Sequence, residues 1–540
     1  MTQTLKSLLE ACHLPCPAQA ENVLVTGITD DSRQVQPGNL FVAYLGVVVD
    51  GHRYLPQALE RGASAVVVEK LPSGIQAGTP DATRPAATQA GAQRYPPVVI
   101  QVPDSRQAFA LLCAAWHGFP GRSMTVIGIT GTDGKTTTAN LLFSILHTAG
   151  HKTGMISTVN AVIGDASLDT GLHVTTPDAD DIQRYLARMR TEGVTHCVLE
   201  VTSHGLAHHR VDGTSFNLAV ITNITHEHLD LHGSRAAYRA AKGRLFEMAP
   251  IHVLNADDAF SFDYLTTLPA EQRHVYSRQT APQANFERFG GWRTHPAWVD
   301  PASGVINAHA FRPSGQRLAL QLRSNLLGDF NVSNVMAASS AALALGVAPE
   351  AIERGVAALP SVPGRMERID SGQPYLAVVD FAHTPNALAN CLSTLRRITS
   401  GRLICVFGCA GERDVQKRYL MGKVAAESAD IVVFTAEDPR RESVENIMAE
   451  MARGASAAHP SVAEVIKIAD RGEAIQRACA LARPGDAVVA CGKGHEQSLC
   501  WGTTEYAWDD REALRQGILG RRLALGERLM AKNNLSLNLG

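Results

Sequence analysis

The segment at residues 126–142, VIGITGTDGKTTTANLL, combines residue types that hold phosphate groups. Its apolar start predicts a strand and its end, from Lys135 onward, predicts a helix, with glycines between them that let backbone N–H groups approach a ligand. Lys135 can reach the outer phosphates of a nucleotide, and Thr136 or Thr137 can offer a hydroxyl to Mg2+. The spacing differs from the usual P-loop, because Ile129 occupies the position of the first glycine. A glycine-rich turn without a ligand is the alternative.

An acid, Asp133, stands inside this loop, where phosphate groups should approach. Aspartate at a tight turn before a helix commonly accepts hydrogen bonds from local backbone N–H groups. We therefore expect the Asp133 carboxylate to cap the turn and to point away from the nucleotide.

Two further stretches carry polar side chains at the ends of apolar runs. Glu200 ends the run in VLEVTSHGL, and His228 follows the run in ITNITHEHLDLHGS. Because the carboxyl ends of parallel strands form the ligand-binding edge of a sheet, both residues are expected near that edge. Mg2+ prefers oxygen ligands, so Glu200 with a threonine of the loop predicts one metal site. His228 is also consistent with a solvated loop residue, and Lys242 in YRAAKGRLF with a surface lysine.

The elements that must position these residues alternate along the chain. Apolar runs such as MTVIGIT, HCVLEV and LICVFG are separated by helical patterns, which predicts an α/β protein whose mostly parallel sheets are flanked by helices. A chain of 540 residues is too long for one core. We predict three such domains, at residues 1–120, 121–360 and 361–540, the central one similar to P-loop ATPases and the last Rossmann-like. Residues 71–97, rich in Pro, Gly, Ala and Thr, are expected to form a surface insertion.

The composition is that of an ordinary globular protein, with 45% hydrophobic residues and a net charge of −2. No global field therefore recruits nucleic acid or an anionic membrane, and no apolar run reaches membrane-spanning length. The ten cysteines lack zinc-binding spacing and are expected to be reduced thiols of a cytosolic protein.

A series of motifs occurs in order along nearly the whole chain. It includes DDSRQVQPGNLFVAYLG, GITGTDGKTTT, TTPDADDIQ, LEVTSHGLAHHRV, TNITHEHLDLHG, YRAAKGRLF, LLGDFNVSNVMAA, VPGRMERI, DFAHTPNAL, GCAGERD, EDPRRE and GKGHE. One motif alone is weak, but the ordered set resembles the Mur ligases of peptidoglycan synthesis. Within that family it is most similar to the MurE type, which adds the third residue of the peptide stem.

The resemblance implies ATP-dependent amide formation. In that family the D-Glu carboxylate of UDP-MurNAc-L-Ala-D-Glu is phosphorylated, the amine of a diamino acid attacks the acyl phosphate, and a tetrahedral intermediate loses phosphate. Two anions must meet, so cations must neutralise both and water must be kept out. The resemblance thus implies ATP and Mg2+ as cofactors and a cytoplasmic protein, which we expect to be a monomer.

The nucleotide-site residues of the family carry over by motif position. The resemblance implies that Lys135, Glu200, His228 and Lys242 are catalytic. Thr136 and Glu200 would bind one Mg2+, while His228 and a carbamylated Lys242 would serve a second. The implied ATP contacts are Gly131, Thr132, Asp133, Gly134, Lys135, Thr136, Thr137, Asn331 at the adenine, Arg365 at a phosphate and Asp380 at the ribose. Closure of the C-terminal domain would complete this site.

The implied contacts of the UDP-MurNAc-dipeptide lie in the first two domains. They are Ser32, Val47, Val48, Val49, Thr175, Thr176, Thr202, His208 and Arg210. Two of them depart from the common pattern: Thr202 stands where Ser is frequent, and His208 where Gln is frequent.

The implied pocket for the diamino acid lies in the C-terminal domain. Its residues are Arg413, Glu437, Asp438, Pro439, Arg440, Gly492 and Glu496. The usual diaminopimelate form of the central segment is Asp-Asn-Pro-Arg, and here it is Glu-Asp-Pro-Arg. Arg440 suits the distal carboxylate that meso-diaminopimelate has and that L-lysine and L-ornithine lack. Asp438 replaces a neutral amide and would suit a distal ammonium, so diaminopimelate is favoured only slightly; a solvated helix start is the alternative for this segment.

Three other functions compete with this interpretation. A folylpolyglutamate synthetase would share the phosphate loop and the second-metal histidine, but DSRQVQPG near the N-terminus and the DPR segment favour the muramoyl enzyme. A P-loop ATPase switch is disfavoured by the loop spacing. A catalytically inactive binding protein is disfavoured because all four implied catalytic residues are present.

Overall fold

The computed structural model describes residues 2–46, 49–71, 97–164, 166–168, 175–225, 232–280, 289–300, 305–312, 314–459 and 464–529. The larger sheets of this part of the chain fall into three successive regions and are mostly parallel, with helices between the strands. The predicted α/β fold class is therefore confirmed. Among the described helices, none combines the length and the apolarity that a bilayer-spanning segment requires.

The first region is built on a small parallel sheet. Strands β1 to β6 are Gln3–Thr4, Leu24–Val25, Gly27–Thr29, Asn39–Val42, Ala65–Val68 and Val98–Gln101, and helices α1 to α3 are Leu5–Ala11, Leu55–Glu60 and Ser105–Trp116. Strands β3, β4, β5 and β6 pair in that order, all parallel, while β1 pairs with β2 antiparallel. The expected insertion at 71–97 lies almost entirely outside the described residues.

The central region carries the largest sheet. Strands β7 to β17 are Thr125–Thr130, Thr153–Ile156, Ala161–Ile163, Ala166–Leu168, His196–Glu200, Leu218–Ile221, Ile251–Asn255, Gln272–Tyr276, Arg293–Asp300, Val305–Phe311 and Arg317–Arg323. Helices α4 to α10 are Lys135–Thr148, Ala179–Thr191, Ser203–Ala207, Arg235–Glu247, Ala259–Leu265, Asn331–Ala344 and Pro349–Ala358. The strand order is β10-β9-β8-β11-β7-β12-β13-β14-β15-β16-β17, parallel from β8 to β15 and antiparallel at both ends. One face packs against α4, α9 and α10, and the other against α5 and α7.

The last region has a parallel sheet with one antiparallel edge strand. Strands β18 to β26 are Glu367–Arg368, Leu376–Asp380, Leu403–Phe407, Ile431–Phe434, Glu464–Lys467, Ala487–Cys491, Ser498–Trp501, Thr504–Ala507 and Arg528–Leu529. Helices α11 to α15 are Pro385–Ile398, Val415–Ser428, Val444–Ser456, Arg471–Leu481 and Asp510–Ile518. The main order is β18-β19-β23-β20-β21-β22, and β24, β25 and β26 form a separate antiparallel sheet.

Strand register brings the polar motifs to common edges. In the central sheet β11 and β12 flank β7, with Glu200 opposite Ile129 and Ile221 opposite Thr130. Glu200 and the residues after Ile221 therefore lie beside the loop that joins β7 to α4. In the last sheet Asp380 pairs with Cys491, which places the residue after each strand at one edge.

Candidate active site

The loop between β7 and α4 has a backbone shape that requires glycine. Gly131 and Gly134 have φ angles of 151° and 81°. A Cβ atom at Gly131 would lie 1.8 Å from Thr222 Oγ1, and one at Gly134 would lie 2.2 Å from Asn334 Oδ1. The Lys135 ammonium donates to the carbonyl oxygen of Gly131 at 3.1 Å and to that of Thr132 at 2.8 Å, so it lies over the loop.

Asp133 does not make the expected capping contact. Its exposed carboxylate accepts a hydrogen bond from Thr225 Oγ1 at 3.4 Å, and helix α4 begins without a side-chain cap. The turn is held instead by the segment after β12: the Asp133 N–H donates to Asn223 Oδ1 at 3.0 Å, and Thr222 Oγ1 donates to the Asp133 carbonyl at 2.6 Å. The capping expectation was wrong because side chains from a neighbouring strand end satisfy the loop backbone.

Glu200 and Thr136 meet beneath the loop. Thr136 Oγ1 lies 3.0 Å from both carboxylate oxygens of Glu200, and the N–H of Thr158 donates to Oε2 at 3.1 Å. Both side chains are almost fully buried. A hydroxyl and a carboxylate at this spacing are hard oxygen donors of the kind that Mg2+ takes, usually few from protein. Among the described residues no cluster of three or more His, Cys, Asp or Glu side chains could hold a metal ion, so a site here would rest on this pair.

Lys242 is not a surface residue. Its side chain, on α7, is 1% exposed, and its nitrogen donates to the Gly131 carbonyl at 2.6 Å. The same carbonyl accepts from Lys135, so two amino groups converge on one oxygen atom. His228 lies outside the described residues.

The nucleotide contacts implied in the last region face the same loop. Arg365 Nη2 approaches Thr136 Oγ1 at 3.5 Å, and its guanidinium lies 4.4 Å from the centre of the Phe381 ring. Burial raises the pKa of Asp380 to about 6, although Arg365 and two backbone N–H groups lower it. Asn331, at the start of α9, donates from Nδ2 to the Leu327 carbonyl at 2.8 Å and is nearly buried.

A cleft of about 1240 Å3 joins the loop to the last region. Of the implied site residues, those that line it are Thr132, Asp133, Gly134, Lys135, Thr136, Thr137, Thr175, Thr176, Glu200, Thr202, Arg210, Asn331, Arg365, Asp380, Arg413, Glu437, Asp438, Arg440, Gly492 and Glu496. Gly131, Lys242 and Pro439 do not line it, and neither do Ser32, Val49 and His208.

The implied muramoyl-peptide residues form a chain of contacts beside Glu200. Thr176 Oγ1 lies 3.0 Å from Thr202 Oγ1 and 3.2 Å from the Glu200 carbonyl. Arg210 Nη1 donates to the Thr176 carbonyl at 2.8 Å. In the first region Ser32 donates to Gln57 Oε1 at 2.7 Å. Val47 and Val48 lie outside the described residues.

Two guanidinium groups of the implied amino-acid pocket lie in the cleft. Arg413 is exposed, and Arg440 is half-buried; within the described residues neither side chain makes a hydrogen bond or an ion pair. Arg440 has a φ of 53°, and its backbone is held by hydrogen bonds to Cys500 and Gly502.

The carboxylate of Asp438 is paired with a buried lysine. Its Oδ1 accepts from the Lys493 ammonium at 2.8 Å and from the Cys500 N–H at 2.9 Å. Lys493 also pairs with Glu496 at 2.5 Å. The Lys493 side chain is fully buried, so its ion pair with Asp438 is shielded from solvent.

Glu437 is a buried acid beside these pairs. Its Oε2 has no hydrogen-bond partner in the described part of the chain, and a Cβ at Gly492 would lie 3.2 Å from it. Burial raises the pKa of Glu437 to about 7, while Lys417, Lys493 and Arg471 lower it.

Sequence reasoning missed three cations of this neighbourhood. Lys493 stands in the GKGHE motif, so motif position could have pointed to it. Lys417, which lines the cleft, and Arg106, which contacts His208, carry no local signal.

Three protein-family profiles match the chain in order. They are the Mur ligase family catalytic domain at residues 24–117, the Mur ligase middle domain at 129–342 and the Mur ligase glutamate ligase domain at 364–494. A UDP-N-acetylmuramyl-tripeptide synthetase of Roseiflexus sp. is 40% identical over 533 residues, which cover 96% of this chain and 98% of the relative. This chain belongs to the Mur ligase family.

Further comparisons place this Mur ligase near diaminopimelate-adding relatives. A UDP-N-acetylmuramoyl-L-alanyl-D-glutamate–2,6-diaminopimelate ligase of Streptomyces coelicolor is 40% identical, with 92% of each chain covered. A solved structure of a ligase with that name has a TM-score of 0.62 and 30% identity, and covers 96% of this chain and 99% of its own.

Family membership decides between the competing functions. Mur ligases are ATP-dependent ligases that form amide bonds, so this Mur ligase is an enzyme of that class. Family membership thereby disfavours the P-loop ATPase switch and the inactive binding protein. The folylpolyglutamate synthetase is not favoured, because the relatives at 40% identity over nearly the whole chain have muramoyl-peptide ligase names.

Proposed function

We propose that this Mur ligase joins meso-diaminopimelate to the D-Glu carboxylate of UDP-MurNAc-L-Ala-D-Glu, producing ADP and phosphate. The observation that carries the proposal is that Arg413 and Arg440, in the cleft that contains the phosphate loop, have no side-chain hydrogen bond or ion pair among the described residues. Diaminopimelate has two carboxylates, each of which a guanidinium can bind with two parallel hydrogen bonds. L-lysine and L-ornithine have one.

The residues of the cleft would act on two successive steps. A D-Glu carboxylate oxygen attacks the terminal phosphorus of ATP and ADP leaves; the amine then attacks the acyl carbon, and phosphate leaves with that carboxylate oxygen. Lys135, at the helix N-terminus, would hold the outer phosphates, and Arg365 would add charge from the last region. Arg413 and Arg440 would fix the acceptor so that its amine meets the acyl carbon.

The donors beneath the loop fit Mg2+. Thr136 and Glu200 offer a hydroxyl and a carboxylate oxygen, and both are buried and preorganised by their contact. When bound there, Mg2+ would neutralise phosphate charge as the two anions meet.

We propose that Lys242 is carbamylated. Two ammonium groups on one carbonyl oxygen repel each other, and Lys242 is buried. A carbamate removes the positive charge and supplies oxygen donors for a second Mg2+, which His228 would share. Mass spectrometry of the native protein at high bicarbonate would show the added carbon dioxide, and Lys242→Ala would lose it.

The three domains would divide the substrates among them. Residues 1–120 would hold the uridine nucleotide through Ser32 and the 47–49 segment. Residues 121–360 would hold ATP and the muramoyl peptide, through the contacts implied by motif position, and residues 361–540 the amino acid. We further propose a cytoplasmic monomer, whose ten cysteines are all free thiols.

Asp438 does not overturn the choice of diaminopimelate. Its carboxylate is paired with the buried Lys493 ammonium, which also pairs with Glu496, so Asp438 is already engaged within the protein and is not a free partner for the distal ammonium of lysine. Phosphate release would be assayed with UDP-MurNAc-L-Ala-D-Glu, ATP and one amino acid at a time. Turnover with diaminopimelate and little with the others supports the proposal. Turnover only with L-lysine or L-ornithine contradicts the acceptor assignment, and none with any contradicts the MurE-type function.

A further inference from the structure

Arg106 links two segments that are expected to bind the same substrate. It lies in the first turn of α3, and its Nη2 donates to the Leu45 carbonyl at 2.8 Å. Its guanidinium carbon lies 4.7 Å from the centre of the Tyr44 ring, which is itself held by a hydrogen bond from its hydroxyl to Asp30 at 2.6 Å. Its Nη1 contacts Nδ1 of His208, in the central region.

This contact determines the protonation of His208. A guanidinium has five N–H donors and no acceptor, so the imidazole nitrogen that faces it must be unprotonated. The single proton of a neutral imidazole then sits on Nε2. Burial lowers the pKa of His208 to about 4, and His204, Arg106, Arg210 and His209 add to the effect. His208 is therefore neutral at physiological pH.

Nε2 of His208 makes no hydrogen bond among the described residues, and His208 lies beside the cleft without lining it. The one side-chain hydrogen bond of His208 within the described residues is the contact with Arg106. Its ring lies 4.0 Å from that of His204, and His204, Thr202 and Arg210 all line the cleft.

We propose that Arg106 fixes His208 in the neutral form that carries its proton on Nε2, so that His208 donates a hydrogen bond to the UDP-MurNAc-dipeptide. Arg106 is a positioning residue, and the inference rests on the proposed function for the identity of that substrate.

Calorimetry with the full-length protein tests the coupling of the two residues. Arg106→Gln is expected to weaken binding of UDP-MurNAc-L-Ala-D-Glu about threefold to tenfold, the loss of one hydrogen bond. In the His208→Gln background the same change should have a clearly smaller effect, because an amide needs no fixed tautomer. Arg190→Gln is the matched control, since Arg190 also donates to backbone carbonyls of the first region, at His117 and Gly118, and should leave binding unchanged.

Nitrogen NMR of protein labelled with 15N-histidine measures the tautomer directly. The signals of His208 are assigned as those that disappear in His208→Gln. The wild type should show His208 with a protonated Nε2, and Arg106→Gln should show a mixture of tautomers. Equal binding by wild type and Arg106→Gln, equal effects in both backgrounds, or a proton on Nδ1 would each overturn the inference. Failure of the wild type to bind the dipeptide at all would instead refute the proposed function. Unchanged ADP binding by Arg106→Gln shows that the variant is folded.

Discussion

The buried carboxyl of Glu437 makes the stability of the protein depend on pH. The side chain is 7% exposed, its Oε2 has no partner among the described residues, and burial raises its pKa from 4.5 to about 7. Between these values the folded protein keeps a proton that the unfolded chain has released. The contribution of Glu437 to stability is therefore greatest below pH 4.5, falls as pH rises and levels off above about 7. At 1.36 kcal/mol per unit of pKa difference, the loss is about 3 kcal/mol.

Glu437→Gln removes this pH dependence, because glutamine has nearly the same shape and cannot ionise. We expect the variant to gain stability relative to the wild type as pH rises from 5 to 8, by up to about 3 kcal/mol, or several degrees in Tm for a domain of this size. The assay is thermal unfolding without ligands at several pH values in that range. Glu445→Gln is the control: Glu445 is exposed and Ser443 lowers its pKa, so its offset from the wild type should not grow over the same range.

A difference between wild type and Glu437→Gln that stays constant from pH 5 to 8 would refute this reasoning. It would mean that the folded protein already holds Glu437 ionised at pH 5. The cations nearby, Lys417, Lys493 and Arg471, would then outweigh the cost of burial.

Three further predictions follow from single contacts. Arg440→Gln should raise the KM for diaminopimelate about tenfold to a hundredfold in steady-state kinetics, because charge-assisted hydrogen bonds to the substrate are lost. The control is Arg441→Gln, at an exposed neighbouring residue, which should leave this KM unchanged. Equal KM values for the wild type and Arg440→Gln would contradict the role of Arg440. Gly131→Ala should weaken ADP binding by calorimetry about tenfold or more, because its Cβ would meet a side chain at 1.8 Å. Gly150→Ala, also at positive φ but with open space around it, is the control, and similar losses in both would show that the clash is unimportant. Asp510→Asn leaves the buried Arg471 guanidinium without a counter-charge and should destabilise the protein by about 3 kcal/mol in thermal unfolding. An unchanged Tm would contradict this prediction.

The sequence predicts much of the sheet framework because buried parallel strands are continuous apolar runs. MTVIGIT, HCVLEV and LICVFG form β7, β11 and β20, and the parallel order brings Glu200 to the phosphate loop. Strands β15 to β17 were not anticipated. Their buried and partly exposed positions alternate, so RTHPAWVD and RLALQLR lack a continuous apolar signal.

In the site, features set by neighbouring residues were predictable from the sequence, and contacts between distant residues were not. Gly131 and Gly134 allow the phosphate loop to be predicted from the sequence, because their positive φ angles are a property of the local chain. The hydrogen bonds that replace an Asp133 cap come from residues about 90 positions away, and the partner of Asp438 comes from 55 positions away. Contacts of this kind depend on strand order and cannot be read from spacing. Asp438 therefore looked like free negative charge in the sequence and is an ion pair in the structure.

The central claim, amide formation through an acyl phosphate, has a direct isotopic test. UDP-MurNAc-L-Ala-D-Glu would be prepared with 18O in the D-Glu side-chain carboxylate and incubated with ATP, Mg2+ and meso-diaminopimelate, and the released phosphate analysed by mass spectrometry. The account predicts one labelled oxygen in each phosphate, because the leaving phosphate takes a carboxylate oxygen with it. Unlabelled phosphate would contradict the account, since it would mean that water, and not the substrate carboxylate, attacks ATP.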